Sequence, residues 1–223
     1  MKIEITSLIL CFLLVSACQA KADWSSVKSN SVQIAQPPDS ATIQTELITL
    51  HELEKTRTDM DCKLGSSQEV PSFDKFFVNK LHPILSAAEA TVIKYFVTKA
   101  MNVASNVAGV YKNKYSRPRP VTEDNTLKPC IPTPSGNLSY PSAHSAMALA
   151  GACVIGKILT DQAAEVLQYA NYIAELRAVV GVHHPSDVQA GKSIGIQLCD
   201  KWTKDNSFAA EISQLRLQAG HEF

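Results

Sequence analysis

From residue 41 onward the apolar positions recur at three- and four-residue steps and do not alternate over any length. That period predicts helices and no strand ladder. In "SATIQTELITLHELEKT", Ile43, Leu47, Leu50 and Leu53 share one face behind Ser40, which reads as the cap. A second helix is expected over 85–111, with Val92, Tyr95, Phe96, Val103, Val107 and Val110 turned toward a core. Its pattern decays at Lys112, and Pro118 and Pro120 forbid continuation. A loop rich in proline, from Pro129 to Pro141, follows. Then "SAHSAMALAGACVIGKIL", "DQAAEVLQYANYIAELRAVV", "PSDVQAGKSIGIQLCD" and "SFAAEISQLRLQ" read as four further helices. The expected architecture is all-α, a single-domain helical bundle.

The start of the chain breaks this pattern. "MKIEITSLILCFLLVSACQA" opens with Lys2, runs through an apolar stretch over about 5–15 and ends in small residues, as an export signal does. The stretch is shorter than the ~20 residues that span a bilayer. "VSAC" resembles a bacterial lipobox, which makes 1–17 a signal peptide and Cys18 the first mature residue and a candidate lipid anchor. Cleavage after Ala20 is the alternative. The expected location is therefore periplasmic, either soluble or anchored as a lipoprotein. Residues 18–40, rich in Ser and stopped by Pro37-Pro38, read as a polar tether to a folded domain over 41–223. Cys62, Cys130, Cys153 and Cys199 remain in the mature chain and allow up to two disulfides in three pairings. Cys153, within an apolar helical run, can also be read as a buried thiol.

Charge changes the picture only locally. With 21 basic and 21 acidic residues among 223, no global field would recruit nucleic acid or an anionic membrane. Yet "YKNKYSRPRP", at 111–120, packs four cations and no acid into one short stretch.

Three segments carry candidate chemistry. Lys112 is followed by six residues and then Arg119-Pro120; "YPSAHS" sets Ser142, Ala143 and His144 at a helix start; Arg177 is followed by five residues, His183, three residues and Asp187. Singly, each has a bland reading as solvated loop, helix cap or structural pair. Together they describe one site: fixed positive charge and backbone N–H groups suit a bound phosphate, and two histidines supply a nucleophile and an acid.

These segments resemble the signature of the phosphatidic acid phosphatase type 2 (PAP2) and vanadium haloperoxidase superfamily, over residues 112–187. With "PPDSATIQTEL" and "GVHHPSDVQAG" around them, the chain looks most like the bacterial class A nonspecific acid phosphatases. The resemblance implies a metal-independent acid phosphatase with no cofactor, acting on a small phosphomonoester through a phosphohistidine. His183 would attack phosphorus, Asp187 would hold its tautomer, and His144 would serve as acid and then base. Lys112, Arg119, Ser142, Ala143 and Arg177 would bind the phosphate oxygens. Spacing selects His183 over His184, and selects Arg119 over Arg117, whose lysine would have to stand at Val110; Arg117 is expected to be a bystander. The chain departs from the signature at Ala143, where glycine is usual, and at Leu176, where serine is usual.

Other readings compete. A metal hydrolase could use His144, His183, His184 and Asp187, although the three cations would repel the metal. A vanadate-dependent haloperoxidase would share the cage, but the relatives of that kind are longer chains. A lipid-phosphate enzyme of the membrane needs several spanning helices. A phosphate-binding lipoprotein without turnover is the reading from outside enzymology. The loop over 123–140 is expected to shape the pocket, tied down through Cys130. The physiological substrate and the oligomeric state, including a homo-oligomer, stay open.

Overall fold

A computed structural model of the chain describes residues 23–81, 85–136 and 138–218. The expected signal segment and Cys18 lie outside the described residues. Capping residues and prolines divide the described chain into α1 (Ser40–Thr56), α2 (Asp59–Ser67), a π-helical turn (Asp74–Val78), α3 (Asn79–Leu81), α4 (Ala87–Tyr115), α5 (Pro120–Glu123), α6 (Ala143–Ile158), α7 (Ala163–Val179), α8 (Pro185–Trp202) and α9 (Asn206–Gln218). No strand occurs among the described residues, and the fold is the expected all-α bundle.

The core is built around α6. Its sequence is apolar on every side, and a helix of that kind is stable only when surrounded. It packs against α4, α7 and α8 more extensively than any other pair of elements meets. Ala146, Ala148, Ala150, Ala152, Val154 and Ile155 are all buried. Small residues let the backbones close up: a methyl at Gly191 of α8 would stand 2.2 Å from the Ser142 carbonyl oxygen, and one at Gly195 would stand 2.5 Å from Leu149 Cβ.

α4 forms as expected, and four of the six residues expected inward reach the core: Val107 is buried, and Val92, Phe96 and Val103 pack against the core. The centre of its buried stripe is Ile93, Val97, Ala100, Met101, Ala104, Val107, Ala108 and Tyr111. Tyr95 is 65% exposed and Val110 50% exposed, so these two expected core residues face solvent. Alanines line the stripe because α4 lies close to its neighbours. At the start of α1 the cap is Asp39, whose carboxylate accepts from Thr42 N at 2.9 Å, rather than Ser40.

The tether reading is corrected for residues 23–39. Trp24 is buried edge-on against Trp202 and Phe208, with ring centroids 5.1 Å away in each case. Val32 is buried, and its carbonyl accepts from the Tyr111 hydroxyl. Tyr140 donates to Ala35 O at 2.9 Å, and Gln33 N donates to Gln197 Oε1 at 3.0 Å. A polar composition concealed two anchoring side chains and several backbone bonds.

The cysteines pair as Cys62–Cys130 and Cys153–Cys199. The first ties α2 to the proline-rich loop, and the second ties α6 to α8. Cys153 is therefore not a free thiol. On a loop-closure estimate, cross-linking over 68 residues is worth on the order of 4 kcal/mol.

Two glycines on helices test this packing. Gly191→Ala should cost about 1–3 kcal/mol in urea unfolding, because the methyl meets backbone. Gly109→Ala, with nothing within 4 Å, should gain up to about 1 kcal/mol from helix propensity. Equal effects at the two positions would contradict the close α6–α8 approach.

Candidate active site

Four chain reversals deliver the site residues to one region. α4 stops at Ser116, which takes a left-handed conformation at φ 45°, and this leaves Lys112 on the last turn. Arg119 is the N-cap of α5, followed by Pro120 at the first helical position. Ser142 is the N-cap of α6; its hydroxyl accepts from Ser145 N at 3.3 Å, and its own N–H donates to the Asp187 carbonyl at 2.8 Å. Arg177 ends α7, and Gly181, at φ 84°, makes the turn that brings His183 and His184 in front of α8. Asp187 lies in the first turn of α8, where its Oδ2 accepts from His184 N at 2.9 Å.

Two contacts fix the tautomer of His183. Arg119 Nη1 lies 2.9 Å from its Nε2, and a guanidinium can only donate. Nε2 therefore carries the lone pair. Nδ1 holds the proton and donates to Asp187 Oδ2 at 3.2 Å. Burial holds the imidazole well below its usual pKa, and Arg119, Lys112, Arg177 and His144 push in the same direction. His183 is neutral with a directed lone pair at any ordinary pH.

The cations around it lack counter-ions. Lys112 Nζ donates to the carbonyls of Leu138 and Ser139, Arg119 Nη1 to Val182 O at 2.8 Å, and Arg177 Nη1 to Gly65 O at 3.5 Å. Among the described residues no carboxylate comes within ion-pair distance of any of the three. Burial, then Arg119, pulls Lys112 down to about 7, and the same two causes pull Arg177 to about 10. The Nε groups of Arg119 and Arg177 are buried without a hydrogen-bond partner. Such a group of donors is built for an oxyanion.

His144 faces the cage from the first turn of α6. Its Nε2 lies 2.9 Å from Gln68 O, and a carbonyl can only accept, so Nε2 bears the proton and Nδ1 is left for proton exchange. Burial, followed by Arg177, pulls its pKa to about 3. The carbonyls under His144 and Arg177 both come from α2 and its C-cap, which the sequence reading passed over. The available signal was the capping box of Thr58 and Asp61.

Arg117 is not a bystander. It is 4% exposed, and its Nη1 donates to Asp187 Oδ1 and to Ser186 Oγ, each at 2.7 Å. Its Nη2 donates to Glu46 Oε2, from α1, at 2.9 Å. Glu46, at 7% exposure, was also missed, because a glutamate on an amphipathic helix reads as surface. His184 turns away from the cage, with Nε2 3.1 Å from Glu123 Oε2 but out of line for a hydrogen bond. His144, His183, His184 and Asp187 accordingly do not converge as a metal-ligand set among the described residues.

The sequence model of the PAP2 superfamily matches residues 86–203, more than half of the chain. This chain belongs to the PAP2 superfamily. It is also 30% identical over 111 residues to an acid phosphatase of Zymomonas mobilis subsp. mobilis (strain ATCC 31821 / ZM4 / CP4), over 48% of this chain and 42% of that protein. The chain thus aligns with less than half of its relative's length. Within this PAP2 chain both departures from the signature have a physical reading. Ala143 takes no positive φ, so a methyl is tolerated there, and Leu176 packs with Ile131, Val180 and Val182 in a small apolar cluster next to Arg177. No helix among the described residues is long and apolar enough to cross a membrane.

The cage makes a prediction about proton linkage. Tungstate is a tetrahedral dianion that does not titrate above neutral pH, and it should bind best with Lys112 charged. Because Lys112 sits at about 7 in the free protein, binding should take up a proton above that pH. Tungstate affinity should then fall by up to about tenfold per pH unit from pH 7 to 9, and Lys112→Met should flatten this slope. Equal slopes in calorimetric titrations of the two proteins would show that Lys112 does not bear on the anion.

Proposed function

We propose that this protein is a metal-independent acid phosphatase that hydrolyses small phosphomonoesters through a phosphohistidine on His183. The observation that carries the reading is the fixed tautomer of His183, with its lone pair on Arg119 beside Lys112 and Arg177, none of which is in ion-pair contact with a carboxylate among the described residues. The curated relative named as an acid phosphatase supports it.

The steps follow from the residues. The substrate phosphate takes the place of Arg119 at His183 Nε2, and Lys112, Arg119, Arg177, the Ser142 hydroxyl and the Ala143 N–H hold its oxygens. Nε2 bonds to phosphorus as the P–O bond to the alcohol breaks, and His144 gives the departing oxygen a proton from Nδ1. The positive charge gained by the His183 ring is offset by Asp187. Water then attacks phosphorus, His144 recovers its proton, and the P–N bond breaks to release phosphate.

His144 can serve as the acid only in the complex. Burial and then the charges of Arg177, Lys112 and Arg119 pull it to about 3, and a phosphate dianion offsets those charges, so substrate raises its pKa. The acid is charged where the leaving group needs it, and the kcat profile falls on the alkaline side as His144 loses that proton. A metal has no step in this route, and the cage cations would oppose a divalent ion. The two disulfides are compatible with the periplasmic location read from the first residues, whether the mature chain is soluble or held at Cys18.

His183→Ala should lower kcat on a chromogenic phosphomonoester by at least about 10³-fold and abolish acid-labile phosphate trapped on the quenched protein. His184→Ala should stay within roughly tenfold of the parent, since that ring faces Glu123 and Glu46 rather than the cage. Chelation should change nothing. Retained turnover in His183→Ala, or activity lost to EDTA and regained with a divalent cation, would refute the mechanism.

A further inference from the structure

We propose that Arg117, itself held by Glu46, is a positioning residue that acts on His183 through the Asp187 carboxylate, so that α1 is part of the catalytic apparatus. The inference rests on the phosphohistidine reading above and deepens it.

Asp187 has two oxygens with different duties. Oδ2 receives the Ser139 hydroxyl at 2.5 Å, His184 N at 2.9 Å and His183 Nδ1 at 3.2 Å. Oδ1 receives Arg117 Nη1 at 2.7 Å. A carboxylate anchored at Oδ1 cannot turn about its own axis, so the direction of Oδ2, and with it the plane of the His183 ring, is set by the guanidinium. Asp187 is fully buried and Arg117 nearly so, which leaves no water to take over that duty.

The guanidinium is aimed by a second carboxylate. Glu46 accepts Arg117 Nη2 on Oε2, the oxygen that also accepts Ser186 Oγ at 3.0 Å, while its Oε1 accepts Ser186 N at 2.6 Å. Glu46 thus fastens α1 to the first turn of α8, next to Asp187. It lies outside the residues that match the superfamily, 86–203. Arg117 differs from the cage cations in having carboxylates on both ends of its fork, so it has no charge to spare for phosphate.

The charges predict an unusual coupling. Asp187 is faced by Arg117 and through it by Glu46, by His183 and His184 from the turn before α8, by Lys112 at the end of α4, by Arg119 and Glu123 at the two ends of α5, and by Tyr140. Without Arg117, Glu46 and Asp187 are two buried carboxylates with no cation between them. Such a pair repels, and Asp187 has lost the donor that anchors its Oδ1. An unanchored Asp187 holds the His183 tautomer poorly. In that setting Glu46 changes from support to hindrance.

The test uses the purified mature chain and four variants: Arg117→Met, Arg117→Lys, Glu46→Gln and the double Arg117→Met/Glu46→Gln. Arg117→Met should lower kcat by about 10²-fold, while tungstate affinity stays within about threefold because the cage is intact. Arg117→Lys should recover part of the loss, since an ammonium supplies the charge without the fork. Glu46→Gln should lower kcat in the parent, yet raise it or leave it unchanged in the Arg117→Met background. A folded Arg117→Met with kcat within about threefold of the parent would overturn the proposal, as would a parallel loss of tungstate binding. So would Glu46→Gln losses that multiply in the double variant. Where Arg117→Met does not fold, the near-isosteric Glu46→Gln carries the test, and parental kcat in that variant would overturn it. Full activity in His183→Ala would instead remove the phosphohistidine reading itself.

Discussion

The structure depends on keeping one buried carboxylate, Asp187, paired and oriented. A buried charge is costly unless it is paired and its oxygens are bonded, and here both conditions are met by four donors from three segments. The guanidinium comes from the loop after α4, the hydroxyl from the loop before α6, and the imidazole and a backbone N–H from the turn before α8. The Asp187 backbone carbonyl is bonded as well, to Ser142 N at the start of α6. Bringing these groups together requires α6 and α8 to touch at backbone distance, and Gly191 is the residue that permits this.

Asp187 is satisfied, and the cations beyond it are not. Arg119 and Arg177 are buried and Lys112 partly so, and the charge of Arg119 pushes the other two down, so the folded chain carries repulsion in its site. Their protein partners are carbonyl oxygens and the His183 imidazole, which accept but carry no charge. A bound oxyanion relieves a cost that folding has already met, and this is electrostatic preorganisation in its simplest form. One disulfide ties α2, which supplies the Gly65 carbonyl, to the loop that supplies the Ser139 carbonyl, so two of the neutral acceptors of the cage are cross-linked.

The sequence exposed the parts of this arrangement that are set by residue type and spacing. The period of apolar residues was enough for α1, α4 and α6 to α9, because long amphipathic or wholly apolar runs leave few alternatives, whereas the four-residue α5 carries no such period. Lys112, Arg119, Ser142, Ala143, His144, Arg177, His183 and Asp187 stood out because their combined intervals resemble the PAP2 signature. Arg117 was dismissed by a spacing rule that is blind to ion pairs. Glu46 was invisible because an acid on a helix is usually solvated, and only the tertiary fold brings α1 over the start of α8. On α4 the pattern places Val92, Phe96, Val103 and Val107 at the core but not the alanines between them, and Tyr95 and Val110, expected inward, face outward.

What α2 contributes belongs to a class that side-chain patterns cannot report. Gly65 and Gln68 offer carbonyl oxygens, which every residue has. Their effect is nonetheless specific, since a carbonyl opposite His144 Nε2 compels that nitrogen to keep its proton and so assigns Nδ1 to proton exchange. Arg119 imposes the opposite assignment on His183, leaving the proton on Nδ1 and the lone pair on Nε2. Two histidines with nearly identical intrinsic chemistry are thereby given complementary atoms by one donor and one acceptor. On the proposed mechanism the division of labour between nucleophile and acid follows from position in the fold, and a chain that kept both histidines but lost the seat of α2 would keep the signature without the assignment.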